Sequence, residues 1–141
     1  MLGSLISKYV TQAGFAALNR RDLDGFLKPW AEDAVFHFPG RISVSGEKKG
    51  KEEIRRFFQR VLEQFPTLHF DVRSICVEHP FVLLGSNSIA AEWMLDVINR
   101  QGNSFRYGGI TLARTRRGQI YQAQDYLFDS DIIRHSWAET T

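Results

Sequence analysis

"IRRFFQRVLEQFPTLHFDVR", residues Ile54 to Arg73, changes its hydrophobic period partway along, and that change decides the fold class. Ile54, Phe57, Phe58, Val61, Leu62 and Phe65 fall at i, i+3, i+4, i+7, i+8 and i+11, which lays them along one face of an α-helix. Pro66 ends that helix, because proline has no amide hydrogen to give the helical ladder. Beyond it Leu68, Phe70 and Val72 alternate with His69, Asp71 and Arg73, the period of a strand with one buried face.

Downstream the strand period continues. "SIAAEWMLDVIN" (88–99), "SFRYGGITLART" (104–115) and "QIYQAQDYLFD" (119–129) are strand candidates separated by the hairpin turns "RQGN" and "RRG". Upstream, Leu2, Leu5, Ile6, Tyr9, Ala13, Ala16 and Ala17 recur at helical spacing and predict an amphipathic first helix that runs out near "NRRD". Asp22 is a natural N-cap for a short second helix in "LDGFLKPW", which Pro29 limits. "DAVFHF" (33–38) predicts a short strand ending at the turn "PGR", and "DSDIIRHSWAE" a closing helix capped by Asp129 or Ser130. Helices followed by a meander of long strands predict an α+β fold, with the helices on one face of a curved antiparallel sheet.

A chain of 141 residues, 43% hydrophobic and 24% charged, has the balance of a soluble globular protein and the length of one domain, taken as residues 1–141. Eleven phenylalanines favour a large apolar interior or a cavity. The net charge of +2 is too small to drive binding to a polyanion. The basic clusters Lys48, Lys49, Lys51, Arg55, Arg56 and Arg114, Arg116, Arg117 lack the interleaved aromatics of a nucleic-acid platform and are expected in solvated turns. Cys76 is the only cysteine, which excludes an intrachain disulfide and cysteine-based zinc sites. His37, His69, His79 and His135 form no ligand pair at helical or strand spacing, and no phosphate loop is present, so no metal or cofactor is expected. With neither a membrane-length apolar run nor a signal-peptide pattern, a cytoplasmic protein is expected.

Four stretches, "ALNRRDLDGFLKPWAEDAVFHFPG", "GKEEIRRFFQRVLEQFP", "AAEWMLD" and "RRGQIYQAQDYLFD", resemble the SnoaL-like group of the NTF2-like superfamily. The resemblance covers most of residues 10 to 130 and implies a cone-shaped α+β barrel, with N-terminal helices packed on a strongly curved, mostly antiparallel sheet. It also implies a deep apolar pocket between helices and sheet that holds one or two acids or bases. Polyketide cyclases, ketosteroid isomerases, epoxide hydrolases, dehydratases, ligand-binding modules and scaffolds share this fold, so the fold leaves the function open. The ketosteroid-isomerase pattern is not matched: Phe38 stands where its base would be, Gly14 where its oxyanion-hole tyrosine would be, and Thr111 near its second acid. Asp96, Arg106 and Asp125 supply the residue types of the limonene-type epoxide hydrolases without their motif.

Asp125 is the best match to the late-strand acid that the family's cyclases use. A carboxylate desolvated among apolar groups has its pKa raised toward neutrality and can take and return a proton. Tyr121, Ala123 and Leu127 share its strand parity. An ordinary structural Asp, bonded to a neighbouring strand or to the first helix, fits the same pattern. His37 is the second catalytic candidate, a pocket-mouth imidazole that would partner Asp125 or bond a carbonyl, with a satisfied structural histidine as the alternative. Tyr9, Phe58, Trp93, Phe105 and Tyr107 are the candidate substrate-binding residues, Trp93 reading as core or pocket wall ahead of a specific ligand contact, and Tyr107 as the inward one of the Arg106/Tyr107 pair by parity. Glu92 and Asp96 alternate away from the Trp93 face. Two functions follow. One is a cofactor-independent enzyme of the cyclase, isomerase or dehydratase type, moving a proton on a small hydrophobic carbonyl compound. The other is a non-catalytic module that binds an apolar ligand or a protein partner. The resemblance also implies a homodimer, in which a second copy covers the face that an open curved sheet exposes.

Overall fold

The computed structural model describes residues 2–82 and 85–139; Met1, Leu83, Leu84, Thr140 and Thr141, which the one-domain expectation includes, lie outside the described residues. Among the described residues four helices, α1 (Leu2–Asn19), α2 (Leu23–Leu27), α3 (Lys51–Gln64) and α4 (Asp131–Ser136), accompany six strands. These are β1 (Trp30–Phe38), β2 (Gly46–Lys49), β3 (Thr67–Val77), β4 (Ser86–Ile98), β5 (Ser104–Arg116) and β6 (Gln119–Leu127). β2 is an addition to the sequence expectation. Lys48 and Lys49, expected in a solvated turn, pair with Phe36 and Val35 of β1, a four-residue strand too short and polar to show a period.

The strands form one curved sheet in the order β2-β1-β6-β5-β4-β3. All neighbours are antiparallel except β1 and β6. β2 and β3 are its two edges, so α3, which joins them in sequence, crosses from one edge to the other. It does so over the inner face, where Phe57 packs on Phe36 and Phe38, and Phe58 packs on Phe36 with ring centroids 5.3 Å apart. Register shifts at Val72/Ser74 and Arg114/Thr115 break the ladders, which bends strands in the manner of bulges. The β5–β6 turn places both Arg117 and Gly118 at positive φ, the geometry of a tight hairpin.

Side-chain bonds secure the helix ends, and one of them ties α1 to the sheet. Asp22 caps α2 by accepting from the Gly25 amide at 2.9 Å. Asn19 acts as a strand-edge mimic on β3, accepting from the Phe70 amide at 2.7 Å and donating to its carbonyl at 2.9 Å. Arg21 donates to the carbonyls of Leu62 and Phe65, satisfying the C-terminal end of α3. Asp129 accepts from the Asp131 amide at 3.1 Å, so it, and not Ser130, supplies the side-chain bond at the start of α4.

The first helix overturns its expected facing. Leu2, Leu5, Ile6, Tyr9, Ala13 and Ala16 of the predicted core stripe are exposed, and only its last member, Ala17, is buried. The inward side carries Gly3, Ser7, Thr11, Gly14, Phe15 and Leu18. Small residues allow the close approach that bulky ones forbid: a Cβ at Gly3 would lie 2.7 Å from the Val82 carbonyl oxygen, and the Ser4 amide bonds the Pro80 carbonyl at 2.8 Å. Among the described residues no helix is long and apolar enough to cross a membrane.

Candidate functional site

Between α1 and the inner face of the sheet lies a cavity of about 100 Å³. That volume is on the scale of a void able to hold a single aromatic ring. Its walls are largely aromatic: Phe15, Phe26, Trp30, Phe36, Phe58 and Phe70. Phe26 links Trp30 and Phe58 at centroid distances of 5.6 and 4.6 Å, so one side of the cavity is a continuous cluster of rings. The small residues Gly14, Ala91, Ala113 and Ala123 face the same space, and the absence of bulk at these positions is what keeps it open. Four polar side chains line it: Thr11, Thr111, Thr115 and Asp125. Thr11 already donates to the Ser7 carbonyl at 2.7 Å.

Asp125 owes its position to register. β5 and β6 pair so that Thr111 lies directly opposite Asp125, and Ala113 opposite Ala123, all on the inner face. The Thr111 hydroxyl donates to Asp125 Oδ1 at 2.6 Å, and accepts from the Trp93 indole Nε1–H at 2.9 Å. Burial among apolar walls pushes the Asp125 carboxyl up to about 7, with the Thr111 hydrogen bond acting the other way. Near neutral pH the group is therefore divided between carboxylic acid and carboxylate. The side chain is half-buried and lines the cavity.

Of the residues singled out in the sequence, Asp125 and Phe58 line the cavity together. His37 does not join them. β1 alternates Phe36 and Phe38 inward, so His37 takes the opposite, exposed side, in register with Glu47 of β2. Tyr9 is also corrected: it is 73% exposed on the outer side of α1, one consequence of that helix's inverted facing. Trp93, Tyr107 and Phe105 lie on the inner face but outside the cavity lining, Trp93 reaching Asp125 only through Thr111. Tyr107 is buried, and that burial pushes its phenol above the ordinary range. Glu92 and Asp96 point outward as their alternation predicts, and Asp96 meets Arg106 at 3.5 Å on the outer face, away from Asp125. Sequence reasoning missed Phe15 and Thr11, and named Gly14 only as a mismatch to the ketosteroid-isomerase pattern, because it assigned the wrong face of α1 to the interior. The available signal was the small-residue spacing of Gly3, Ser7, Thr11 and Gly14.

A family model described as the SnoaL-like domain matches residues 11–123. No curated protein matches the chain. Several solved structures share its fold. Bal32a, from a soil-derived mobile gene cassette, superposes with a TM-score of 0.82 at 18% identity, over 96% of this chain and 98% of its own. An NTF2-like protein of unknown function from Burkholderia pseudomallei K96243 gives 0.79 at 19% identity, covering 91% of this chain and 94% of its own. TerC, co-crystallised with polyporic acid, gives 0.77 at 16% identity, covering 93% and 97%. At such identities the likeness is one of fold.

Proposed function

The chain belongs to the SnoaL-like domain family, and from that premise we propose that it is a cofactor-independent enzyme that moves a proton on a small hydrophobic carbonyl compound. The observation that carries this reading is the Asp125 carboxyl, held in an apolar cavity and poised near neutrality. A group balanced between acid and base at working pH serves both halves of a proton transfer. As carboxylate, Asp125 takes a proton from the carbon next to the carbonyl, and the electron pair passes to the carbonyl oxygen to give an enolate. As carboxylic acid it returns that proton, to a second carbon in an isomerisation, to a departing hydroxide in a dehydration, or to the oxygen of a second carbonyl that the enolate carbon has attacked in a cyclisation. The aromatic wall, with Phe58 among its residues, excludes water and binds the apolar body of the substrate. TerC was co-crystallised with polyporic acid, and by analogy we take a small organic molecule as the ligand here.

A non-catalytic binding module is the second reading, favoured by the exposure of His37, which leaves Asp125 as the only ionisable side chain lining the cavity among the described residues. The two readings separate in deuterium oxide. With a panel of ring-sized ketones, protein-dependent exchange of the protons next to the carbonyl, read by proton NMR, is expected for the wild type and reduced by at least about a hundredfold in D125N. Ketones that bind yet exchange no faster than in buffer would sink the enzyme reading and leave the module.

Two further parts belong to the proposal. A second copy covers the outer sheet face, where Met94, Ile110 and Leu112 are half-buried and Tyr126 and Phe128 are exposed. The setting is the cytoplasm, where an exposed thiol such as Cys76 stays reduced.

A further inference from the structure

Resting on the reading of Asp125 as the proton carrier, we propose that Trp93 and Thr111 form a positioning relay, seated by Gly109, that gives the two oxygens of Asp125 different roles. Oδ1 is held by the relay, and Oδ2 is the oxygen that takes and returns the proton.

The direction of the hydrogen bonds carries this assignment. An indole N–H only donates, so the 2.9 Å contact between Trp93 Nε1 and Thr111 Oγ1 occupies a lone pair of the hydroxyl. The hydroxyl proton then has the 2.6 Å contact to Asp125 Oδ1 as its acceptor. A hydroxyl that would otherwise turn freely is fixed as a donor to one particular oxygen. Oδ2 accepts no hydrogen bond among the described residues, which leaves it free for substrate.

The relay needs the indole in one place, and the backbone provides it. Trp93 pairs with Gly109 across β4 and β5, one alternation from Thr111. A Cβ at Gly109 would lie 2.9 Å from Trp93 Cζ2 and Cη2, so the ring lies over the glycine and thereby reaches the next inward residue. Phe70 braces the indole edge-on at 5.2 Å. The second glycine of "GGITLA" is thus the seat of the indole.

The other groups that face Asp125 do not compete for this role. α1 contributes Thr11, α2 Phe26, α3 Phe58, and β1 Trp30 and Phe36, none of which titrates. Tyr107, on β5, feels the charge of Asp125 but stays neutral because burial pushes its phenol up.

The test needs no substrate. In protein labelled with carbon-13 at the aspartate carboxyls, the Asp125 resonance, identified by its loss in D125N, is titrated by NMR. Removing a hydrogen bond to the ionised form raises the midpoint, so T111V is expected to titrate on the order of one pH unit higher than wild type. T111S, which keeps the hydroxyl, is expected to return to within roughly 0.3 unit of it. W93F, which frees the hydroxyl to turn away, is expected to lie between wild type and T111V. A folded T111V with an unchanged midpoint would overturn the relay. If T111V does not fold, W93F decides alone, and an unchanged midpoint in folded W93F overturns it equally. Titrations that behave as expected while D125N leaves ketone exchange untouched would strike the proton-transfer reading and spare the relay.

Discussion

Asp125 is held near neutrality because its charged form is poorly solvated: the cavity offers it aromatic rings, small aliphatic groups and a single hydroxyl donor. The consequence for stability has a definite sign. In the unfolded chain an aspartate titrates near its ordinary 3.8, whereas in the folded protein Asp125 titrates near 7. Between those values the folded state binds more protons, so Asp125 makes the protein less stable as pH rises through this window, and the effect levels off above it. D125N removes that slope. Urea unfolding of both proteins from pH 4 to 8 should show wild type losing up to about 4 kcal/mol relative to D125N, with the difference constant beyond the upper pKa. Identical pH profiles would mean that the carboxyl is solvated. At this scale the sequence marks Asp125 as an acid in a strand with apolar neighbours, but not its partner. Thr111 is fourteen residues away, and only strand register brings the two together.

Among the elements, α1 departs furthest from what its sequence predicts. Leu2, Leu5, Ile6 and Tyr9 face outward while the inner side of the first turn comes close to the 79–82 segment, an approach that Gly3 permits; farther along, Gly14 opens onto the cavity. Periodicity detects a stripe but not which neighbour the stripe meets. The inversion has a measurable outcome: Leu5 is 62% exposed and Leu18 only 3%. L5A should change the unfolding free energy by less than about 0.5 kcal/mol, whereas L18A should lower it by roughly 2–5 kcal/mol. A large loss in L5A would return the predicted stripe to the core. The third helix behaves in the opposite way, with Ile54, Phe57, Phe58, Val61 and Leu62 all buried as their spacing predicts. The difference lies in the partner: α3 spans the open inner face, where bulky residues fill space, while the start of α1 is pressed against the backbone of Pro80 and Val82 and its later turns roof the cavity. Another element detail is equally non-local. Asn99, in the turn after β4, is buried with its amide donating to the Ser136 carbonyl at 3.1 Å, so the β4–β5 hairpin and α4 lock one another.

For the whole molecule, the sheet divides the residues of β4, β5 and β6 between two environments, a cavity on one side and, on the other, an outer face where an apolar patch lies beside the charged Glu92, Asp96 and Arg106. Tyr126 and Phe128 are 48% and 61% exposed there, alongside Met94, Ile110 and Leu112. Burying large apolar side chains that alternate with the cavity-facing set is a strong reason for self-association. Sedimentation should give a dimer for the wild type and a monomer for the Y126E/F128E double variant, with little loss of fold because neither side chain belongs to the core. A wild-type monomer would leave that face to another partner. What the sequence by itself determined is the class of the fold, the placing of most helices and strands, and the parity of β4 and β5, since hydrophobic period reports local geometry and which side of a strand is buried. What only the tertiary structure decided is which face of α1 meets the sheet, that His37 stays outside the cavity while Thr111 and Trp93 reach its acid, and that β1 lies parallel to β6. These depend on contacts between residues distant in the chain, set by register and close approach, and no local pattern encodes them.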